Sequence, residues 1–193
     1  MNHLHLISTG GTGTYAIEAW GRPNWSSKRV PAHQRSPLIA GEEKQRVLYI
    51  FGDPRNQLLS FFRRGFMTPP YTHCQHVGGN VKYLLRMSRI SVDSYLLLEY
   101  DAYQLYEHLR GWLSHVRRRY DIMFVRYEAL HKPEVEKAMR SWVGAEKPFL
   151  FKQRKSSFRS VLSTSQQTSI NRMFADTLSL TKQLPDVMEM LCS

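Results

Sequence analysis

The sequence predicts an α/β protein of three layers, with a central parallel sheet flanked by helices. Three apolar segments are typical of buried strands: Leu4–Ser8, Arg46–Pro54 and Asp121–Leu130. Each segment is followed by a stretch with helical features rather than by a hairpin turn. Alternation of this kind favours parallel strands joined by crossover helices. We therefore expect one domain over all 193 residues.

The first two strands lead into clear helix starts. Leu4–Ser8 runs into the glycine-rich sequence STGGTGT, after which a helix is expected to begin near Thr14. The second strand ends at Gly-Asp-Pro, where Asp53 suits the N-cap and Pro54 the first turn of a helix through RNQLLSFFRRGF. Residues 21–41 and 67–80 are rich in Pro, Gly and Ser, and they predict loops.

The second half of the chain is expected to be mainly helical around the third strand. Residues 81–116 are helical in pattern, with Leu105, Leu109, Trp112, Leu113 and Val116 on one face. A helix is predicted from Pro133 to Val143, after the third strand. Residues 163–184 are predicted to form one closing helix.

Composition narrows the classes of protein and ligand. The net charge is +11, from 27 Lys and Arg against 16 Asp and Glu, which favours polyanions or phosphorylated small molecules as ligands. No apolar run is long enough to span a membrane, and MNHLHLISTGG has no charged leader before an apolar stretch. Cys74 and Cys192 lie far apart, so no disulfide is expected. We expect a soluble cytoplasmic protein.

The glycine-rich sequence from Ser8 to Thr14 has the composition of a phosphate-binding turn. In a parallel α/β domain, the turn after the first strand lies at the carboxyl edge, where ligands bind. Glycines there expose backbone N–H groups at a helix start, and these attract anions. G-x-x-x-x-G-K-S/T does not fit because its lysine is absent, nor does G-x-G-x-x-G, because Ala16 stands at its third glycine. The turn alone indicates an anion site or an ordinary tight glycine turn.

A second segment, YIFGDPRNQLLS from Tyr49 to Ser60, favours the anion site. It resembles the second phosphate-binding motif of sulfotransferases that use 3′-phosphoadenosine 5′-phosphosulfate (PAPS), which reads roughly vvRdPrdvalS after a buried strand. The glycine turn in its place resembles the first motif of that family, K/R-S/T-G-T-T, with Thr12, Gly13 and Thr14 on its middle positions.

Three further segments extend the resemblance over most of the chain. VPAHQRSP resembles the KTHLP segment of the family, which carries the catalytic histidine, and so aligns His33 with it. YEHLRGWL and IMFVRYEAL resemble a helix and strand that read fdHvkgWw and iLflkYEdL. QRKSS resembles the basic RKG segment. The family order is kept throughout, so the chain resembles a short sulfotransferase with a P-loop-like fold.

The resemblance implies a reaction and a set of site residues. A sulfuryl group would pass from PAPS to a hydroxyl or amine acceptor by in-line displacement, with His33 as general base and PAP as product. The glycine turn would hold the 5′-phosphosulfate, Ser60 and the basic segment the 3′-phosphate, and Tyr127 would border the adenine. The expected cofactor-binding residues are Thr9, Gly10, Gly11, Thr12, Gly13, Thr14, Tyr15, Arg55, Ser60, Tyr127, Arg154 and Lys155.

Other ligands and partners are expected as follows. The family works without a metal, and THCQH crowds its possible ligands too closely for a tetrahedral site, so we expect no metal. The acceptor would be a small molecule, a glycan or another hydroxyl-bearing compound, shaped by the loops at 21–41 and 65–80. Neither a membrane nor a nucleic acid is expected as partner, since no nucleic-acid-binding motif is present.

Two departures from the family pattern leave alternatives open. The cation of the first motif aligns with Gly11, and the arginine that opens the second aligns with Gly52. Arg55 could substitute for them, as could three cations beside His33, namely Lys28, Arg29 and Arg35. The alternative is a catalytically inactive relative that binds a nucleotide or a protein partner. A P-loop nucleotide kinase would require the absent lysine.

Overall fold

The computed structural model of the protein describes residues 3–21, 45–65, 90–114, 120–151 and 157–192. Within these ranges one sheet contains four strands in the order β1-β2-β3-β4. The strands are β1 (His3–Ser8), β2 (Gln45–Phe51), β3 (Tyr120–Arg126) and β4 (Val187–Met190). β1, β2 and β3 are parallel, as predicted, but β4 pairs antiparallel with β3. The expectation of a wholly parallel sheet is therefore wrong.

The helices of the described ranges lie between and after these strands. They are α1 (Thr14–Gly21), α2 (Pro54–Arg63), α3 (Val92–Leu96), α4 (Leu105–Leu113), α5 (Pro133–Val143), α6 (Phe158–Val161), α7 (Thr164–Met173) and α8 (Ala175–Gln183). A single 3₁₀ turn, Tyr127–Ala129, follows β3.

Local signals account for the helix starts. Asp53 caps α2, because its Oδ1 accepts from the Arg55 N–H at 2.9 Å, and Pro54 occupies the first turn. Pro133 likewise opens α5, which ends at Gly144 in the left-handed conformation. The predicted bounds of both helices are confirmed.

Three predicted elements differ from the structure. β3 ends at Arg126, and the remaining residues of the predicted strand form the 3₁₀ turn. The closing helix is two helices, since Phe174 between them leaves helical geometry while its ring is fully buried. The described part of residues 81–116 also contains two helices rather than one, because Glu99 and Gln104 between them have positive φ.

The side chains of the sheet pack against helices on both faces. On one face Leu6, Leu48 and Met123 contact α1 and α5, with Ile17, Met139 and Trp142 among the buried partners. On the other face Tyr49, Ile122 and Phe124 pack with Leu109 and Trp112 of α4. A further apolar cluster joins α2, α3 and α7. The three-layer α/β arrangement is confirmed, and it aligns the carboxyl ends of three parallel strands.

Candidate functional site

Three segments meet where the parallel strands end. Ser8 of β1 pairs with Ile50 of β2, and Phe51 pairs with Arg126 of β3. The glycine turn, the Gly52-Asp53 step and the 3₁₀ turn therefore share the carboxyl edge of the sheet. The sequence places its first and second motifs at this edge, and the structure brings them into contact.

The glycine turn between β1 and α1 is held from within. Gly10, Gly11 and Gly13 have φ of 88°, 68° and 68°. The Ser8 hydroxyl accepts from the Gly10 N–H at 3.1 Å and lies 2.7 Å from the Thr14 hydroxyl. The Gly10 N–H is therefore used inside the protein, and Ser8 joins the two ends of the turn.

The hydroxyl side chains of the turn face inward. Thr9, Thr12 and Thr14 are buried, and the Thr12 and Thr14 hydroxyls lie 3.5 Å apart. Tyr15 is 74% exposed. A compact turn at a helix start, lined by two threonine hydroxyls, has the neutral donors that an anion requires.

Helix α2 packs directly on the turn. A Cβ added to Gly11 would lie 3.2 Å from the Gln57 Cα, 3.3 Å from the Gln57 carbonyl oxygen and 3.3 Å from the Ser60 Cβ. Ser60, the predicted ligand of the 3′-phosphate, is thus beside the first motif. The positive φ of Gly11 and this contact with backbone exclude a larger residue, which explains why the family's cation is missing here.

Gln57 is a site residue that sequence reasoning missed. Its side chain is buried, its Nε2 donates to the Gly52 carbonyl at 3.1 Å, and its Oε1 accepts from the Thr9 hydroxyl. The available signal was a polar side chain where the second family motif has an apolar residue.

Glu128 is a second residue that the motifs did not indicate. Both of its carboxylate oxygens lie 3.1 Å from the position of a Cβ on Gly52, and Thr12 Cγ2 lies 3.4 Å from that position. Its Oε1 also accepts from the Asp53 N–H at 3.0 Å. A carboxylate therefore occupies the space beside the second vacant cation position.

Tyr127 lies against the glycine turn. Its Cε2 would be 2.8 Å from a Cβ on Gly13, and its ring packs edge-on to Phe151 with centroids 5.2 Å apart. The side chain is 9% exposed. In this structure the ring supports the turn, which makes glycine necessary at position 13.

Arg55 is at the predicted edge, but its guanidinium has partners within the protein. Its Nη2 lies 2.6 Å from Asp53 Oδ2, and its Nη1 donates to Asn171 Oδ1 at 2.7 Å. The same group stacks over the Phe158 ring at 3.9 Å. A phosphate role for Arg55 would compete with these contacts.

Several predicted residues lie outside the described residues. They are His33, Arg154 and Lys155, together with the possible substitute cations Lys28, Arg29 and Arg35 and most of both predicted acceptor loops. Within the ranges that are described, no group of three or more His, Cys, Asp or Glu side chains could hold a metal ion. None of the helices in those ranges has the length and apolar character needed to cross a membrane.

Comparisons of the chain with protein-family models, with curated proteins and with solved structures find no match.

Proposed function

We propose that the protein is a PAPS-dependent sulfotransferase with a P-loop-like fold. One observation carries the proposal: Gly11 of the first motif packs against Ser60 of the second, although the two are far apart in sequence. In the family that the sequence resembles, these motifs bind the two phosphate groups of one cofactor. The net charge of +11 further supports an anionic ligand.

The described residues would bind and orient the cofactor. Backbone N–H groups of the glycine turn, with the Thr12 and Thr14 hydroxyls, would hold the 5′-phosphosulfate at the start of α1. The Ser60 hydroxyl would donate to the 3′-phosphate. His33 would take the proton of the acceptor hydroxyl as its oxygen bonds to sulfur and the sulfur–oxygen bond to PAP breaks.

The cofactor assignment is tested by comparing PAP with AMP, which lacks the 3′-phosphate. Ser60→Ala should weaken PAP binding about tenfold or more, since a charge-assisted hydrogen bond is lost, and should leave AMP affinity unchanged. Isothermal titration calorimetry measures both. Ser141→Ala, on the exposed face of α5, is the matched control and should leave both affinities unchanged. Absence of any PAP binding at millimolar concentration would overturn the proposal.

The chemical step is tested separately. His33→Ala should abolish sulfate transfer from PAPS across a panel of hydroxyl and amine acceptors while PAP affinity stays within a few-fold of wild type. Transfer by the variant at the wild-type rate would exclude His33 as the base.

A specific observation favours a second candidate, a relative that binds a nucleotide without catalysis. The contacts of Gly11 with α2 and of Gly52 with the Glu128 carboxylate occupy the space of both family cations. This candidate expects PAP binding without transfer to any acceptor. One acceptor that is sulfated by the wild-type protein, but not by His33→Ala, excludes it.

A further inference from the structure

We propose that Gln57 is a positioning residue that sets the shape of the glycine turn and thereby its affinity for a phosphate group. This inference rests on the proposed function, because it assigns the turn a phosphate ligand. It adds a residue that no motif of the sequence indicates.

The Gln57 amide joins two segments that flank the site. Its Oε1 accepts from the Thr9 hydroxyl at the start of the turn, and its Nε2 donates to the Gly52 carbonyl at 3.1 Å where β2 ends. The side chain is 3% exposed, so water does not readily replace either partner. The end of β1 and the end of β2 are thus held by one side chain of α2.

The backbone of the same residue contacts the middle of the turn. The Gln57 Cα and carbonyl oxygen lie 3.2 and 3.3 Å from the position of a Gly11 Cβ. A shift of α2 at Gln57 therefore displaces Gly11 as well as Thr9. Side chain and backbone together fix two of the residues whose N–H groups would face the anion.

An amide has a specific use at this position. The resembled motif has an apolar residue there, so packing of the helix alone does not call for a polar group. An apolar replacement would leave the buried Thr9 hydroxyl and Gly52 carbonyl without these partners. Donors that are held in place before binding need no reorganisation, which raises affinity where the family's cations are absent.

The first test measures PAP affinity by calorimetry. Gln57→Leu and Thr9→Val should each weaken PAP binding about tenfold or more, and Thr9→Ser should restore wild-type affinity because it keeps the hydroxyl. The double variant should bind no more weakly than either single variant, since both remove the same bridge. Gln167→Leu is the matched control: its amide donates to the Arg159 and Leu162 carbonyls away from the turn, so its loss should leave PAP affinity unchanged.

The second test needs no ligand. Amide hydrogen exchange of residues 9–14 should be about tenfold faster in Gln57→Leu and Thr9→Val, compared at equal global stability, and unchanged in Gln167→Leu. Unchanged exchange in both turn variants overturns the inference, whether or not the protein binds PAP. PAP affinity within threefold of wild type in both variants also overturns it. A wild-type protein that does not bind PAP, with faster exchange in the variants, refutes the proposed function but retains the positioning of the turn.

Discussion

Gly13 and Gly144 have similar backbone conformations in different surroundings. Their φ values are 68° and 73°. A Cβ on Gly13 would lie 2.8 Å from Tyr127 Cε2, whereas a Cβ on Gly144 would meet nothing within 4 Å. The pair separates the cost of a left-handed residue from the cost of a steric contact.

Alanine substitution at these glycines gives a prediction for the candidate site. Gly144→Ala should lower the free energy of unfolding by about 1 kcal/mol, the cost of positive φ for a residue with a Cβ. Gly13→Ala should lower it by about 2 to 4 kcal/mol, because the Tyr127 ring must also move. Urea denaturation at one pH measures both. Equal losses would show that the Tyr127 contact contributes nothing.

The residue scale also shows why the site was only partly predictable. Positions of the turn and Ser60 follow from composition and spacing along the chain. Gln57 and Glu128 act through contacts with Thr9, Gly52 and Asp53, which belong to other segments. No local pattern encodes such contacts, so a single sequence does not reveal them.

At the scale of elements, α4 has an unusual start. Gln104 precedes it in left-handed conformation and makes no side-chain cap hydrogen bond. The Asp101 carboxylate accepts from the Leu105 N–H at 2.6 Å and from the Tyr103 N–H at 3.0 Å. Burial raises the pKa of Asp101 to about 6, although hydrogen bonds from Leu105, Tyr103, Tyr95 and Gln104 act to lower it.

This shift predicts a pH dependence of stability. Because the folded-state pKa of about 6 exceeds the usual value near 4, the folded protein binds more protons than the unfolded chain between these pH values. The Asp101 contribution to the free energy of unfolding should therefore fall by about 2 to 3 kcal/mol as pH rises from about 4 to 6. Asp101→Asn keeps an acceptor and does not titrate.

The measurement is urea denaturation of both proteins across that pH range. The difference in free energy of unfolding between wild type and Asp101→Asn should change in favour of the variant as pH rises. A difference that stays constant with pH would show that the Asp101 pKa is not raised.

Elements with local start signals were predicted well, and elements that depend on partners were not. α2 and α5 follow from Asp53-Pro54 and from Pro133 to Gly144. β4 depends on contacts across the fold: Arg126 Nε donates to Asp186 Oδ1 at 2.8 Å, and Lys132 Nζ donates to Asp186 Oδ2 at 2.7 Å. Four residues of pairing with β3 then complete the edge of the sheet, and so short a strand has no periodicity to recognise.

At the scale of the whole molecule, charge is unevenly distributed along the chain. Just over half of the 27 Lys and Arg residues fall in 22–44, 66–89, 115–119 and 152–156, where the acidic residues are Glu42 and Glu43 alone. The remainder of the sequence is close to charge balance. The net charge of +11 thus belongs to segments outside those that form the described sheet and helices.

This distribution predicts how binding responds to salt. If those segments attract the anionic cofactor, PAP affinity should fall several-fold between about 50 and 300 mM NaCl, because the Debye length shortens from about 14 to about 6 Å. AMP, with less charge, should respond more weakly. Calorimetry in matched buffers measures both ligands. A PAP affinity independent of salt would mean that the neutral donors of the turn are sufficient.

The packing of Gly11 on α2 also limits the sequence changes open to this protein. A Gly11→Lys exchange would place a Cβ against the Gln57 backbone in a left-handed conformation, so the lysine could be accommodated only after the helix shifts. Single substitutions that add charge without this obstacle must therefore occur elsewhere, and descendants of this sequence would acquire cofactor charge outside the turn before they regained it inside.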